Sequence, residues 1–360
     1  MKNLNIPHQR LRNLGILGSN FETPDGVVHW LGAVQSQDYA GAKWALGMRM
    51  THATDELVDQ AFANGSILRT HLMRPTWHFV TPSDIRWLLE LTAPRVRAAS
   101  AYMYRKEDLD DKVFKRSNAA LEKALLGGKS LTRDELRDAL EKARIKTEGD
   151  QRMTYLMMQA ELDGVVCSGP RRGKQFTYML LEERVPQARK LSHDEALAGL
   201  SKRYFTSRGP ATVQDFAKWS GLTIADAKLG LEAVRAQFQS EVMDGQTYWF
   251  KEPEKSSPLS SPIIHLLSVY DEYISSYKDR SAMANEKNAE KMVSMGNDLT
   301  YIILLNGQAI GTWKRTLKKK EVTITPNLFI PLKKAEKEAL VHTSEEYGTF
   351  LGLSAIVEYT

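Results

Sequence analysis

The 360-residue chain predicts an α+β protein in which units of three helices closed by a hairpin repeat, ahead of a β-rich C-terminal domain. Three observations predict it. Residues 111–190 carry helix-start signals followed by a turn-tipped hairpin. Residues 191–252 repeat that plan. Beyond residue 262 the pattern changes to strand-like alternation.

Residues 1–110 read as mostly helical. Thr23-Pro24 and Thr81-Pro82 are helix starts, because Thr caps and Pro sits where a missing N–H costs nothing. Val27, Val28, Leu31 and Val34 follow a helical period. Ile67 to Val80 is rich in β-branched and aromatic residues, with Arg74-Pro75 in its middle, and reads as a hairpin. In 111–190, Asn118 to Leu126 is a short amphipathic helix ended by Gly127-Gly128. Thr132 and Glu135 form a capping box for a helix whose inner face is Leu136, Ala139, Leu140 and Ala143. Asp150 to Leu162 is the third helix, with Tyr155, Met158 and Leu162 inward. Val165 to Ser168 and Gln175 to Leu180 then flank a turn holding Arg171, Arg172 and Lys174. Three helices and a basic-tipped hairpin is the winged-helix (helix-turn-helix) order.

In 191–252, boxes at Ser192/Glu195, Thr212/Asp215 and Thr223/Asp226 start three helices. Phe216 and Trp219 point inward on the second, and Leu229, Leu231, Val234 and Phe238 are buried positions of the third. Asp244-Gly245 turns the closing hairpin. Glu252 to Pro262 is the best linker. In 262–360, Ile263–Val269, Tyr301–Leu305, Gln308–Trp313 and Glu321–Thr325 read as strands, with Asn306-Gly307 a hairpin turn. Lys333–His342 reads as a helix and Ser354–Tyr359 as a last strand.

A hydrophobic share of 42% and a charged share of 26% are ordinary for a globular protein. The net charge of +5 is compatible with a polyanionic partner. Its distribution says more: Arg69 to Lys106 holds seven bases against two acids, and Lys314 to Lys320 holds five bases and none. A lone cysteine, Cys167, excludes an intrachain disulfide and fits a reducing compartment. With no signal-peptide pattern and no long apolar run, the expectation is a cytoplasmic protein with no membrane contact.

Several chemistries fail on spacing. Gly127-Gly128-Lys129-Ser130 resembles a phosphate loop, but the required first glycine falls on Lys123. His71 and His78 lie seven apart with no thiolate nearby, so neither a metal nor another cofactor is expected. Asp271-Glu272, adjacent on a strand, would face opposite sides and serve at a domain boundary. Gln35 and Gln37 would diverge in a helix but share a side in an extended segment. Glutamine is no general base near neutrality; it orients water and places a carbonyl dipole. From the residues alone, two glutamines at a helix end are ordinary and read as structural or surface.

Gln35-Ser36-Gln37-Asp38 and Arg69 to His78 stand in the order found in one family of winged-helix proteins. So do Tyr39 to Gly47, Tyr204 to Thr212, Tyr270-Asp271-Glu272-Tyr273 and Gly311-Thr312-Trp313. Over nearly its whole length the chain resembles the alkylpurine DNA glycosylases of the AlkZ and YcaQ type. The resemblance implies that Gln35 and Gln37 are catalytic, since a Gln-x-Gln motif at this place is the AlkZ-like signature and Gln-x-Asp its YcaQ-like form. Ser36 stands where the family is often apolar. Asp38 is a possible assistant, with capping as its other role.

The chemistry is consistent with that motif. An N3- or N7-alkylated purine is cationic and leaves without an acid, so aligning water with C1′ and stabilising an oxocarbenium-like sugar suffice. The expected partner is double-stranded DNA. Phosphate contacts are expected from Arg69, His71 and Arg74, and packing against a lesion or unstacked base from Trp77 or His78. Backbone contacts are expected from the wing residues Arg171, Arg172 and Lys174 and from the hairpin residues Lys314, Arg315, Lys318 and Lys319. The reading is a monomeric, monofunctional, nucleoid-associated glycosylase without metal. The alternatives are a non-catalytic winged-helix DNA binder or regulator, and an interaction scaffold.

Overall fold

The computed structural model of the chain describes residues 5–18, 21–187, 189–252, 261–284, 288, 290–291 and 301–359. It is a mixed α+β structure.

The N-terminal part contains α1 (Ile6–Asn13), α2 (Pro24–Leu31), β1 (Val34–Gln35), α3 (Tyr39–Gly47), α4 (Asp55–Asn64), β2 (Leu68–Leu72), β3 (Arg74–Val80) and α5 (Pro82–Lys106). Thr23 caps α2, with its side chain accepting from Gly26 N–H, and Pro24 fills the first turn. Val34 is a correction. It does not continue that helix, because α2 stops at Gly32 with φ 78°, and Val34 lies instead in β1 opposite Phe79. The sheet order is β1-β3-β2. Its hairpin turns at Met73, φ 63°, rather than at Arg74-Pro75, which opens β3.

The second part contains α6 (Asp111–Leu125), β4 (Leu131–Thr132), α7 (Arg133–Lys142), α8 (Arg152–Leu162), β5 (Val166–Ser168), β6 (Thr177–Leu180) and α9 (Leu181–Arg184). The helix expected from Asn118 begins seven residues earlier, where Asp110 accepts from Val113 N–H. Gly127 and Gly128 follow it and donate to the Glu183 carboxylate at 2.9 and 2.6 Å. The Thr132/Glu135 box forms. Ala143, expected on the inner face, is exposed because α7 has already ended at Lys142.

The third part is α10 (His193–Arg208), α11 (Val213–Ser220), α12 (Ile224–Val234), β7 (Gln239–Met243) and β8 (Gln246–Phe250). All three predicted capping boxes are present. Leu229, expected to be buried, is a further correction: it is 64% exposed. The proposed linker falls mostly on 253–260, outside the described residues.

The C-terminal part is β9 (Ile264–Leu267), α13 (Glu272–Ser275), β10 (Tyr301–Leu305), β11 (Gln308–Leu317), β12 (Glu321–Leu328), α14 (Lys334–Leu351) and β13 (Ser354–Val357). They form a five-stranded sheet, β13-β12-β11-β10-β9, with β13 parallel to β12. Asp271-Glu272 heads α13 rather than lying on a strand: Asp271 caps it by accepting Tyr273 N–H.

One apolar core runs from Leu11 through Phe216 and Trp219 to Trp313 and Phe350. A separate core, including Leu121, Leu136, Leu156 and Val166, closes the second part on itself.

Candidate active site

Between α2 and α3 the chain must cross from one helix to the next, and it does so extended. Gln35 pairs with His78 across β1 and β3, and Ser36 N–H donates to Trp77 C=O at 2.8 Å. The crossing ends where Asp38 Oδ1 accepts from Gly41 N–H at 2.5 Å and caps α3. The strand ends at Gln35 and the backbone bends at Gln37 and Asp38, leaving Gln35 opposite His78 and Gln37 beside Trp77. Gln35 is 7% exposed, while Gln37 is exposed at the surface.

Both amides are oriented. Gln35 Oε1 accepts from Arg74 Nη2 at 2.9 Å, and Gln37 Oε1 accepts from Trp77 N–H at 3.2 Å. A guanidinium and a backbone N–H only donate, so neither amide can flip, and each carbonyl retains a second lone pair. Ser36 between them is fully buried, and its hydroxyl has no hydrogen-bond partner among the described residues.

Behind Gln35 lies a charged layer. Gln35 N–H donates to Glu272 Oε1 at 3.0 Å. The other Glu272 oxygen accepts from Arg208 Nη2 at 2.7 Å, Trp219 Nε1 at 2.9 Å and Ser276 Oγ at 2.9 Å. Burial opposes the Glu272 charge, but the Arg208 guanidinium and these donors outweigh it and hold the carboxyl at about 2. His78 is fully buried; burial, then the Arg74 charge, push it down to about 3. It is therefore neutral. Its Nδ1 lies 3.0 Å from Thr76 C=O, which makes Nδ1 the donor and leaves Nε2 an acceptor towards Arg74, 3.4 Å away.

Trp77, whose backbone N–H meets Gln37, is braced by Arg69 and His71. The Arg69 guanidinium lies 4.4 Å from the Trp77 ring and 4.5 Å from Phe176. Its Nε donates to Ser36 C=O at 3.1 Å. The His71 ring sits 4.3 Å from Trp77, and its Nδ1 meets the buried Glu161 carboxylate.

These placements correct the expected phosphate contacts. Arg69 and His71 are buried, and Arg74 spends donors on Trp219 C=O and Gln35, so all three brace the pair from inside. His78 has no surface to offer a base; Trp77 is half-buried and has some. On the turn between β5 and β6, Arg171 lies 5.0 Å from the Tyr39 ring and 3.9 Å from Asp59. Arg172 pairs with Glu135 at 2.8 Å, and Lys174 is exposed. On the β11–β12 hairpin Lys314 and Lys319 are exposed, and Lys318 pairs with Glu321 at 3.0 Å. Arg315 turns in to the Tyr347 hydroxyl.

Glu272, Arg208 and Trp219 are site residues that the sequence does not single out. The Tyr270 to Tyr273 run is the available signal for Glu272, but nothing local links it to Gln35. Among the described residues, no three His, Cys, Asp or Glu side chains could hold a metal ion. Among them too, no helix is long and apolar enough to cross a membrane.

The family model for the AlkZ-like DNA glycosylases matches residues 28–350. The chain is 25% identical over 349 residues to an interstrand DNA cross-link repair glycosylase of Streptomyces sahachiroi, covering 89% of this chain and 90% of that one. It superposes on the solved structure of Streptomyces sahachiroi DNA glycosylase AlkZ with a TM-score of 0.81 at 19% identity, covering 99% and 98% of the two chains. That likeness concerns the fold. The match over residues 28–350 includes both glutamines and Glu272, and the chain belongs to the AlkZ-like DNA glycosylase family.

Proposed function

We propose that the protein hydrolyses the N-glycosidic bond of N-alkylated purines, N7-alkylguanine and N3-alkyladenine, in duplex DNA, with Gln35 and Gln37 as the catalytic pair. The observation that carries this reading is the orientation of both amides by groups that can only donate. Each carbonyl keeps one lone pair to receive a hydrogen of the attacking water. The buried Glu272 carboxylate is neutralised by Arg208 and holds the Gln35 backbone N–H in place beneath the pair. A cationic base needs no acid to leave, which is consistent with the neutral His78 opposite Gln35.

The name of the Streptomyces sahachiroi relative brings cross-linked duplexes within the substrate class. The reading includes winged-helix units at 1–110, 111–190 and 191–252 and a β-rich domain at 262–360, acting as a monomer without metal. The helix-and-hairpin order of residues 111–252 supports those units. Lys43, the lysine nearest the pair in sequence, is held by Asp55 at 2.6 Å and Asp59 at 2.8 Å, which supports a hydrolytic route over a lysine adduct.

Single-turnover excision from N7-methylguanine duplex tests the proposal. Gln35→Ala and Gln37→Ala are each expected to slow it on the order of 100-fold, with duplex affinity and melting temperature retained. Wild-type rates in both variants would return the protein to a non-catalytic DNA binder.

A further inference from the structure

Four hydrogen bonds near the site close into a ring. Gln35 N–H donates to one oxygen of Glu272 at 3.0 Å. Trp219 Nε1–H donates to the other at 2.9 Å. Trp219 C=O accepts from Arg74 Nη1, and Arg74 Nη2 returns to Gln35 Oε1 at 2.9 Å. The ring draws one residue each from β1, β3, the end of α11 and the start of α13. It grips Gln35 at both ends, the backbone through Glu272 and the amide through Arg74.

A core does not need such a device. Burying a carboxylate and a guanidinium is costly, and apolar replacements of buried ion pairs are often as stable. What the ring adds is restriction of a long side chain with several rotatable bonds. A displacement of about 1 Å in a reacting group can cost on the order of 100-fold in rate.

We propose that Arg74, Trp219 and Glu272 are positioning residues of the excision step, holding the Gln35 amide at a fixed place and angle. This rests on the reading of Gln35 as a group that acts on the attacking water. The three residues touch Gln35 or one another and act through it.

Arg74→Lys is the discriminating variant. It keeps the positive charge but cannot fork between Trp219 C=O and Gln35 Oε1. The single-turnover rate on N7-methylguanine duplex is expected to fall on the order of tenfold, with Kd for undamaged duplex and its salt dependence unchanged. Added to Gln35→Ala, Arg74→Lys should cost nothing further, because the group it positions is gone. Trp219→Phe, which removes only the indole donor, should show a smaller loss and the same non-additivity.

Three results overturn the ring. One is a wild-type rate for Arg74→Lys. Another is a loss that appears as weaker duplex binding with a shallower salt slope. The third is a penalty that multiplies in full onto Gln35→Ala. A wild-type rate for Gln35→Ala itself would be a different failure, because it removes the glutamine reading on which the ring depends.

Discussion

His78 and His265 are held neutral, and both make the fold sensitive to mild acid. Burial, then Arg74, bring His78 down to about 3, and burial, then Arg49, bring His265 down to about 4. The groups facing His78 are Arg74, Glu272 and His71; Arg49 and Asp271 face His265. Both folded values lie below the ordinary 6.5. The unfolded chain therefore binds more protons as pH falls below 6.5, and stability drops there. Each histidine contributes a slope of up to ~1.4 kcal/mol per pH unit until its folded value is reached. Glu272, with a folded value of about 2 against an ordinary 4.5, adds its loss only below pH 4.5. Urea unfolding at pH 7, 6 and 5 should show falling midpoints, and a flat profile would mean that the imidazoles are not held neutral. At this scale the residues alone leave the glutamine pair structural or surface, and only the family resemblance singles it out, because Gln-x-Gln is a local motif. Glu272 is not legible as its partner, because no spacing rule reaches across 237 residues. Nor is the inward turn of Arg69 and His71. A basic run on an edge strand reads as solvated until Phe176 and Glu161, both from the second part of the chain, arrive to cover it.

Elements with their own chemical punctuation are legible. Capping boxes at Thr132, Ser192, Thr212 and Thr223 all form. Asp244-Gly245 and Asn306-Gly307 adopt the positive φ values their hairpins need, 50° and 74°, then 52° and 84°. Elements without punctuation mislead. The two residues of β1 are too few to show a period, and Val34 happens to fall in phase with Leu31. The last helix runs past His342, where the sequence reading ended it, to Leu351, through Gly348. Glycine is needed there: a Cβ at Gly348 would lie 2.7 Å from Leu353 O and 2.9 Å from Ala355 Cβ, so the helix can lie against β13 only with glycine. The β11–β12 hairpin also runs four residues past Trp313, to Leu317. Its tip carries Lys318, Lys319 and Lys320, all exposed. Replacing the three by serine should weaken duplex binding and lower the slope of log K against log salt by about 0.9 for each phosphate left unneutralised. An unchanged slope would take this hairpin away from the DNA.

Across the whole molecule, units written one after another in sequence are not stacked one after another in space. The N-terminal helices, the third part and the C-terminal sheet share one apolar core, which Met158, Leu162, Cys167 and Leu181 of the second part also join, while most of the second part closes a core of its own. Periodicity within a segment says which face is buried; it does not say which distant segment covers it. The ring around Gln35 is the sharpest instance, and it also has a consequence in time. Ribosomes add about 5–20 residues per second. A chain that has made Gln35 waits roughly 10–50 s for the carboxylate that steadies it, since the two lie 237 residues apart. Ribosome-stalled chains of increasing length should excise N7-methylguanine only after residue 272 has cleared the exit tunnel. Excision by a chain stalled at residue 250 would refute this. On this reading a half-made protein carries both glutamines yet is expected to leave glycosidic bonds intact, so that the genome meets the activity only when synthesis is nearly done.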